Sequence, residues 1–147
     1  MYKHILIPID GSELSQKAVK GGIALAKALG ARVTGFYAAP DFLRKTFGYE
    51  EIGPFIPQTD FEGETKKQAE EYLSILEKQA RTAGVQIDTV WVKHNSPYTA
   101  IIETAKKRSC DLIFMASHGR RGLGALVLGS ETTKVLTHTK IPVLVYR

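Results

Sequence analysis

The sequence predicts an α/β protein: one three-layer α/β/α, Rossmann-like domain over residues 1–147, built on a five-stranded, mainly parallel sheet. Three observations carry this. Short apolar runs without strict alternation recur along the chain, as in strands covered on both faces. Segments with apolar residues at helical spacing lie between them, and such alternation calls for right-handed crossovers that put helices on both faces of the sheet. A length of 147 residues suits a single core.

The first run, His4-Ile5-Leu6-Ile7-Pro8-Ile9, stops at Asp10-Gly11-Ser12. Leu14, Ala18, Gly22, Leu25 and Leu29 then mark one face of a helix, with Ser12 as N-cap and Gly30 as the left-handed residue that ends it. Arg32 to Ala38 reads as the second strand. A long connection follows, from Ala39 to about Asp60, with Phe42, Leu43, Phe47, Tyr49, Ile52, Phe55 and Ile56 giving it enough apolar character to pack rather than to serve as a tether. Ala69, Tyr72, Leu73, Leu76, Ala80 and Ala83 mark the second helix, closed by Gly84.

Gln86 to Lys93 is the third strand. Ser96-Pro97 opens the third helix, because Ser caps and Pro suits the first helical position, and Ile101, Ile102 and Ala105 form its buried stripe. Asp111 to Ala116 is the fourth strand; a Gly-rich turn then leads into a helix near Ser130 to Thr137. Ile141 to Tyr146 is the fifth strand.

Composition narrows the function classes. No run approaches the ~18 apolar residues of a membrane helix, and the chain starts in a strand-like segment without a signal-peptide pattern, so a cytoplasmic location is expected. Cys110 is the single cysteine, which excludes an intramolecular disulfide and any multi-cysteine zinc site. His4, His94, His118 and His138 lack metal-ligand spacing with one another. The net charge of +5 suits a phosphate-bearing partner, but Lys and Arg are mixed with acids along the whole chain, so no specific nucleic-acid surface is indicated.

Ligands of open parallel sheets bind outside the carboxyl ends of the strands, where the strand order reverses. Two strand ends are rich in small or polar residues: Asp10-Gly11-Ser12 and Ala116-Ser117-His118-Gly119. From Gly119 the chain continues through Arg120, Arg121, Gly122, Gly124 and Gly129-Ser130 into a helix. Glycines admit close backbone approach to phosphate oxygens, and a helix start presents unpaired N–H groups. A set of turns around a helix N-cap would account for the same residues. No Lys separates Gly129 from Ser130, so this is not a P-loop of the ATPase type. Ser117-His118 is adjacent in sequence without an evident third member, so no catalytic triad is read from it.

Four separated segments resemble universal stress proteins, in the right order: Ile5 to Ser12, Asp111 to Gly119, Gly129-Ser130, and Ile141 to Val145. The resemblance runs the whole length of the chain. Members that bind ATP carry Gly, two residues, Gly, nine residues, then Gly followed by Ser or Thr. Gly119 and Gly129-Ser130 match; Ala116 stands where the first Gly lies, and a left-handed backbone there would disfavour binding.

The resemblance implies a stress-response regulator that binds ATP, ADP or AMP, with Mg2+ accompanying the phosphates. Pro8, Asp10, Tyr37 and Met115 would surround adenine and ribose; Ala116, Gly119, Gly129, Ser130 and Thr132 would form the phosphate turn. It also implies a homodimer through Ile141 to Tyr146, an apolar strand with an edge to cover. Two alternatives stand beside this: a nucleotide-independent dimeric interaction module, and an enzyme. Without a Walker-type Lys or a placed general base, the enzyme would be at most a slow ATPase.

Overall fold

The structure is a computed structural model that describes residues 1–41, 58–119 and 127–147. Most of the aromatic connection predicted between Ala39 and Asp60, and Arg120 to Leu126 of the Gly-rich turn, lie outside the described residues.

Among the described residues five strands and four helices alternate: β1 (His4–Pro8), α1 (Glu13–Leu29), β2 (Arg32–Ala39), α2 (Gln58–Ala83), β3 (Ile87–Lys93), α3 (Pro97–Lys107), β4 (Leu112–Ala116), α4 (Ser130–His138) and β5 (Val143–Tyr146). The sheet order is β3-β2-β1-β4-β5, and every neighbouring pair is parallel. The chain builds outward from β1 to β3, then returns to the other side of β1 for β4 and β5. The order therefore reverses between β1 and β4.

Strand parity divides the core in two. Ile5, Ile7, Val33, Tyr37, Leu112 and Phe114 pack beneath α1 and α2 with Val19, Ile23, Leu73 and Leu76. Leu6, Phe36, Ile113 and Met115 pack on the opposite face with Ile101, Ala105 and Val135 of α3 and α4. Successive side chains of a strand point to opposite faces, which is why one apolar run feeds both layers. Phe36 is fully buried, and truncating such a residue costs about 3–5 kcal/mol.

The helix ends follow their sequence signals closely. Ser12 is the N-cap of α1 and its Oγ accepts from the Ser15 amide at 3.1 Å; Gly30 ends the helix with φ of 64°. Gly84, with φ of 72°, follows α2. Two helix starts differ from expectation. Ser96 has the extended backbone of an N-cap but makes no side-chain cap bond, its hydroxyl pairing instead with Thr99 Oγ1 at 2.8 Å. The N-cap of α4 is Gly129, so Ser130 is the first helical residue rather than the cap.

Helix α2 also begins at Gln58, about three turns before Ala69, where the predicted apolar stripe starts. From Asp60 to Ala69 it buries only Phe61, Thr65 and Ala69, a stripe of one residue per turn set among exposed acids and lysines. That stripe is too sparse to stand out in the sequence. Among the described residues, no helix is long and apolar enough to cross a membrane.

Candidate functional site

Where β1 and β4 part company, the ends of both strands open onto a cleft of about 490 Å³ on the α3/α4 side of the sheet. That is ample for a small molecule. Pro8, Ile9 and Asp10 enter from β1, Phe36 and Ala38 from β2, and Met115, Ala116, His118 and Gly119 from β4 and the residues after it. Pro97 and Ile101 of α3 form one wall; Gly129, Ser130, Glu131, Thr132 and Lys134 form another. The cleft thus has an apolar side, from Phe36 to Met115, and a polar side at the start of α4.

Local chemistry holds the polar side in place. Asp10 Oδ1 accepts from the Ser12 amide at 2.9 Å, a short-range turn that aims the carboxylate out of β1. Gly11 reverses the chain with φ of 81°, and the Tyr72 ring lies where any side chain at residue 11 would go. At residue 119 a Cβ would collide with Asp10 Oδ2, so glycine lets the chain after β4 close upon the end of β1. A Cβ at residue 129 would come within 2.9 Å of His118 Cα, which is backbone and cannot swing away. The two motif glycines therefore serve the approach of chain to chain across the switch point.

The amide of Gly129 is used within the protein, donating to Ser117 O at 2.8 Å. The first amides of α4 without intrahelical acceptors are those of Ser130, Glu131 and Thr132, because Thr133 N is the first to bond back, to Gly129 O at 3.0 Å. These three residues line the cleft, and the positive end of the helix dipole lies there with them. Thr132 is buried, and its hydroxyl donates to Ala116 O at 3.0 Å, pinning α4 to the end of β4. Its contribution to a ligand would be its amide rather than its hydroxyl.

Eight of the nine residues expected at the site converge on this cleft: Pro8, Asp10, Met115, Ala116, Gly119, Gly129, Ser130 and Thr132. Tyr37 does not. Its ring packs on the α1/α2 side, 5.2 Å from Tyr72 and edge-on to it, with its hydroxyl 3.3 Å from Gln68 Oε1. A one-residue step along a strand changes faces, so the β2 residues that enter the cleft are the neighbours Phe36 and Ala38. Their parity with Leu6 and Met115 is the signal that would have found them. Ala116 is in β4 without a positive φ, so the backbone there accepts a methyl group.

Ser117 Oγ and His118 Nδ1 are 3.2 Å apart, but Ser117 is buried at 5% exposure and only His118 reaches the cleft. A buried hydroxyl beside the cleft is no nucleophile for a ligand within it. Ile9, Ser15, Pro97, Ile101, Glu131 and Lys134 are the remaining lining residues that sequence reasoning did not assign to the site. Glu131 and Lys134 lie one turn apart on α4, and only the fold brings that face toward α3.

A doubly wound parallel domain with a cleft at its switch point is the architecture of the open-sheet α/β class, whose members bind ligands at that place. The chain is a member of the universal stress protein family, whose model matches residues 1–147. It is 32% identical to the universal stress protein MJ0531 of Methanocaldococcus jannaschii over 154 aligned positions, covering all of this chain and 83% of that one. The solved structure of MJ0577, from the same organism, superposes with a TM-score of 0.81 at 26% identity, covering 99% of this chain and 95% of the other. A universal stress protein of Archaeoglobus fulgidus, solved in complex with dAMP, shares the fold at a TM-score of 0.70 and 17% identity, over 99% and 98% of the two chains.

Proposed function

We infer that this protein binds an adenine nucleotide, ATP or its di- or monophosphate, in the cleft between β1 and β4, and acts as a homodimeric stress-response regulator in the cytoplasm. The observation that carries the reading is the two-sided cleft. Phe36, Ala38, Pro97, Ile101 and Met115 offer an apolar slot for a flat base, and Met is an adaptable contact for such a face. Opposite, the amides of Ser130, Glu131 and Thr132 open the α4 helix, a ready anion site.

Asp10 lies between the two, where a carboxylate accepts from ribose hydroxyls. The backbone of Ala116, free of positive φ, removes the conformational objection to alanine at that motif position. The dAMP complex of the Archaeoglobus fulgidus relative supports an adenine ligand for this fold. Mg2+ would accompany a triphosphate, with water supplying most of its ligands. No residue is assigned a catalytic step.

Dimerisation through β5 fits its place at one edge of the sheet, where Leu144 is 38% exposed and no strand among the described residues pairs with its outer side.

Gently purified protein is expected to release AMP, ADP or ATP on denaturation, read by chromatography of the extract. Millimolar ATP is expected to raise the melting temperature of nucleotide-stripped protein, since ligand binding to the folded state stabilises it. An empty extract together with an unmoved melting temperature would refute nucleotide binding.

A further inference from the structure

Helix α3 begins without a cap of its own. Pro97, its first residue, has no N–H, so the Tyr98 amide is the first donor of the helix, and the Ser96 hydroxyl is turned to Thr99 instead. The acceptor comes from another helix. Glu131 Oε2 of α4 takes the Tyr98 N–H at 2.8 Å, a charge-assisted bond at the positive end of the α3 dipole.

The same face of α4 grips Tyr98 twice more. Lys134 Nζ lies 5.6 Å from the centre of the Tyr98 ring and 3.4 Å from Glu131 Oε1. The His138 ring lies 5.2 Å from the Tyr98 ring, tilted by 42°. Residues 131, 134 and 138 have the spacing of one helical stripe, so α4 presents a carboxylate, an ammonium and an imidazole to a single residue of its neighbour. Tyr98 sits between Pro97 and Ile101, the two α3 residues that wall the apolar side of the cleft.

We propose that Glu131 is a positioning residue: by holding the first amide of α3 it fixes Pro97 and Ile101 at the separation from Met115 that admits a flat base. The inference rests on the nucleotide reading above and adds to it the residue that sets the width of the base slot. The Glu131 side chain acts through α3 and is assigned no contact with the ligand, while its backbone amide stays in the anion site at the start of α4 in both variants below. Releasing its bond lets the start of α3 move outward, loosening the slot while leaving the α4 amides where they are.

The test compares the whole protein with Glu131→Ala and Glu131→Gln, titrated with adenosine and with AMP by calorimetry, alongside amide hydrogen exchange of Tyr98 without ligand. Glu131→Ala is expected to weaken adenosine and AMP by the same factor, about tenfold, and to speed Tyr98 exchange by about as much, as suits a bond to a charged group. Glu131→Gln keeps an oxygen for the Tyr98 amide and is expected to restore both to within about threefold of wild type. Unchanged exchange at the Leu6 amide checks that each variant is folded.

Wild-type affinity in Glu131→Ala, or failure of the glutamine to rescue, overturns the proposal. A loss for AMP with none for adenosine also overturns it, since the effect would then belong to the phosphate end. If wild-type protein binds neither ligand while Tyr98 exchange still depends on residue 131, the nucleotide reading fails and only the tie between the helices survives.

Discussion

At the N-terminal end of the strands, His4, Thr34, Asp88 and Arg108 form a continuous chain of hydrogen bonds, whereas at the C-terminal end β1 and β4 diverge and leave a cleft bordered by helix amides. The closed end spends its polar groups on itself. His4 Nε2 lies 2.8 Å from Thr34 Oγ1, Thr34 donates to Asp88 Oδ1 at 3.2 Å, and Asp88 pairs with Arg108 at 2.9 Å. Asp111 accepts the amides of Lys3 and His4 at 2.8 and 2.9 Å. Burial nearby pushes the Cys110 thiol up to about 11, leaving it protonated and unreactive at neutral pH.

The open end makes the contrary choice. Thr132 and Gly129 are bonded internally only so far as to bring α4 against β4, and the next amides along lack intrahelical acceptors. One end of the sheet thus binds the fold together and the other leaves donors for a ligand. Both ends use the same sheet: at the closed end the bonded groups His4, Thr34 and Asp88 lie in the first residues of β1, β2 and β3, whereas at the open end Asp10, His118 and Gly119 follow β1 and β4.

The largest test of this contrast is Gly129→Asp. Its Cβ would press on His118 backbone and its charge would face any phosphate at α4, so nucleotide affinity is expected to fall more than about a hundredfold by calorimetry. The far-ultraviolet circular dichroism is expected to stay that of the folded protein. Wild-type affinity in this variant would remove the phosphate from the start of α4.

The closed end predicts a pH effect of intermediate size. Thr34 has one hydroxyl proton and gives it to Asp88, so His4 carries its proton on Nε2. Burial, with Arg32 beside it, holds the His4 pKa below 6.5. The unfolded chain therefore takes up a proton before the folded one does. The His4 contribution to stability is full above pH 6.5 and declines as pH falls below that value, levelling off once the folded imidazole also protonates. Urea unfolding between pH 5 and 8 (approximate limits of the His range) should show this decline, and His4→Gln should flatten it. An equal slope in the variant would assign the effect elsewhere.

The smallest expected effect belongs to Tyr37→Phe. Tyr37 packs on the α1/α2 side, so nucleotide affinity should be unchanged, and loss of its bond to Gln68 should cost about 1 kcal/mol or less in urea unfolding. A marked loss of affinity would bring Tyr37 back to the ligand.

The element types were legible because the signals are local. Ser12 and Gly30 bracket α1, Gly84 closes α2, and the unbroken apolar run of β1 predicts a strand covered on both faces. The early start of α2 escaped notice because one buried residue per turn among acids and lysines leaves little periodic contrast. For the site, the strand-end rule, the glycine spacing and the family resemblance together named nine residues, eight of which line the cleft, while strand parity separates Tyr37 from Phe36 and Ala38.

By itself the sequence determined which segments are strands and helices, where the chain must turn, and that Asp10, Gly119 and Gly129 stand at the ends of elements. Spacing and glycine conformation are properties of neighbouring residues, so they can be read along the chain. The tertiary structure alone decided which face of β2 meets the cleft, that the Gly129 amide is used up on Ser117, and that Glu131 caps a helix some thirty residues before it. Those facts depend on how separate elements pack, and packing pairs groups whose distance in sequence carries no local signal.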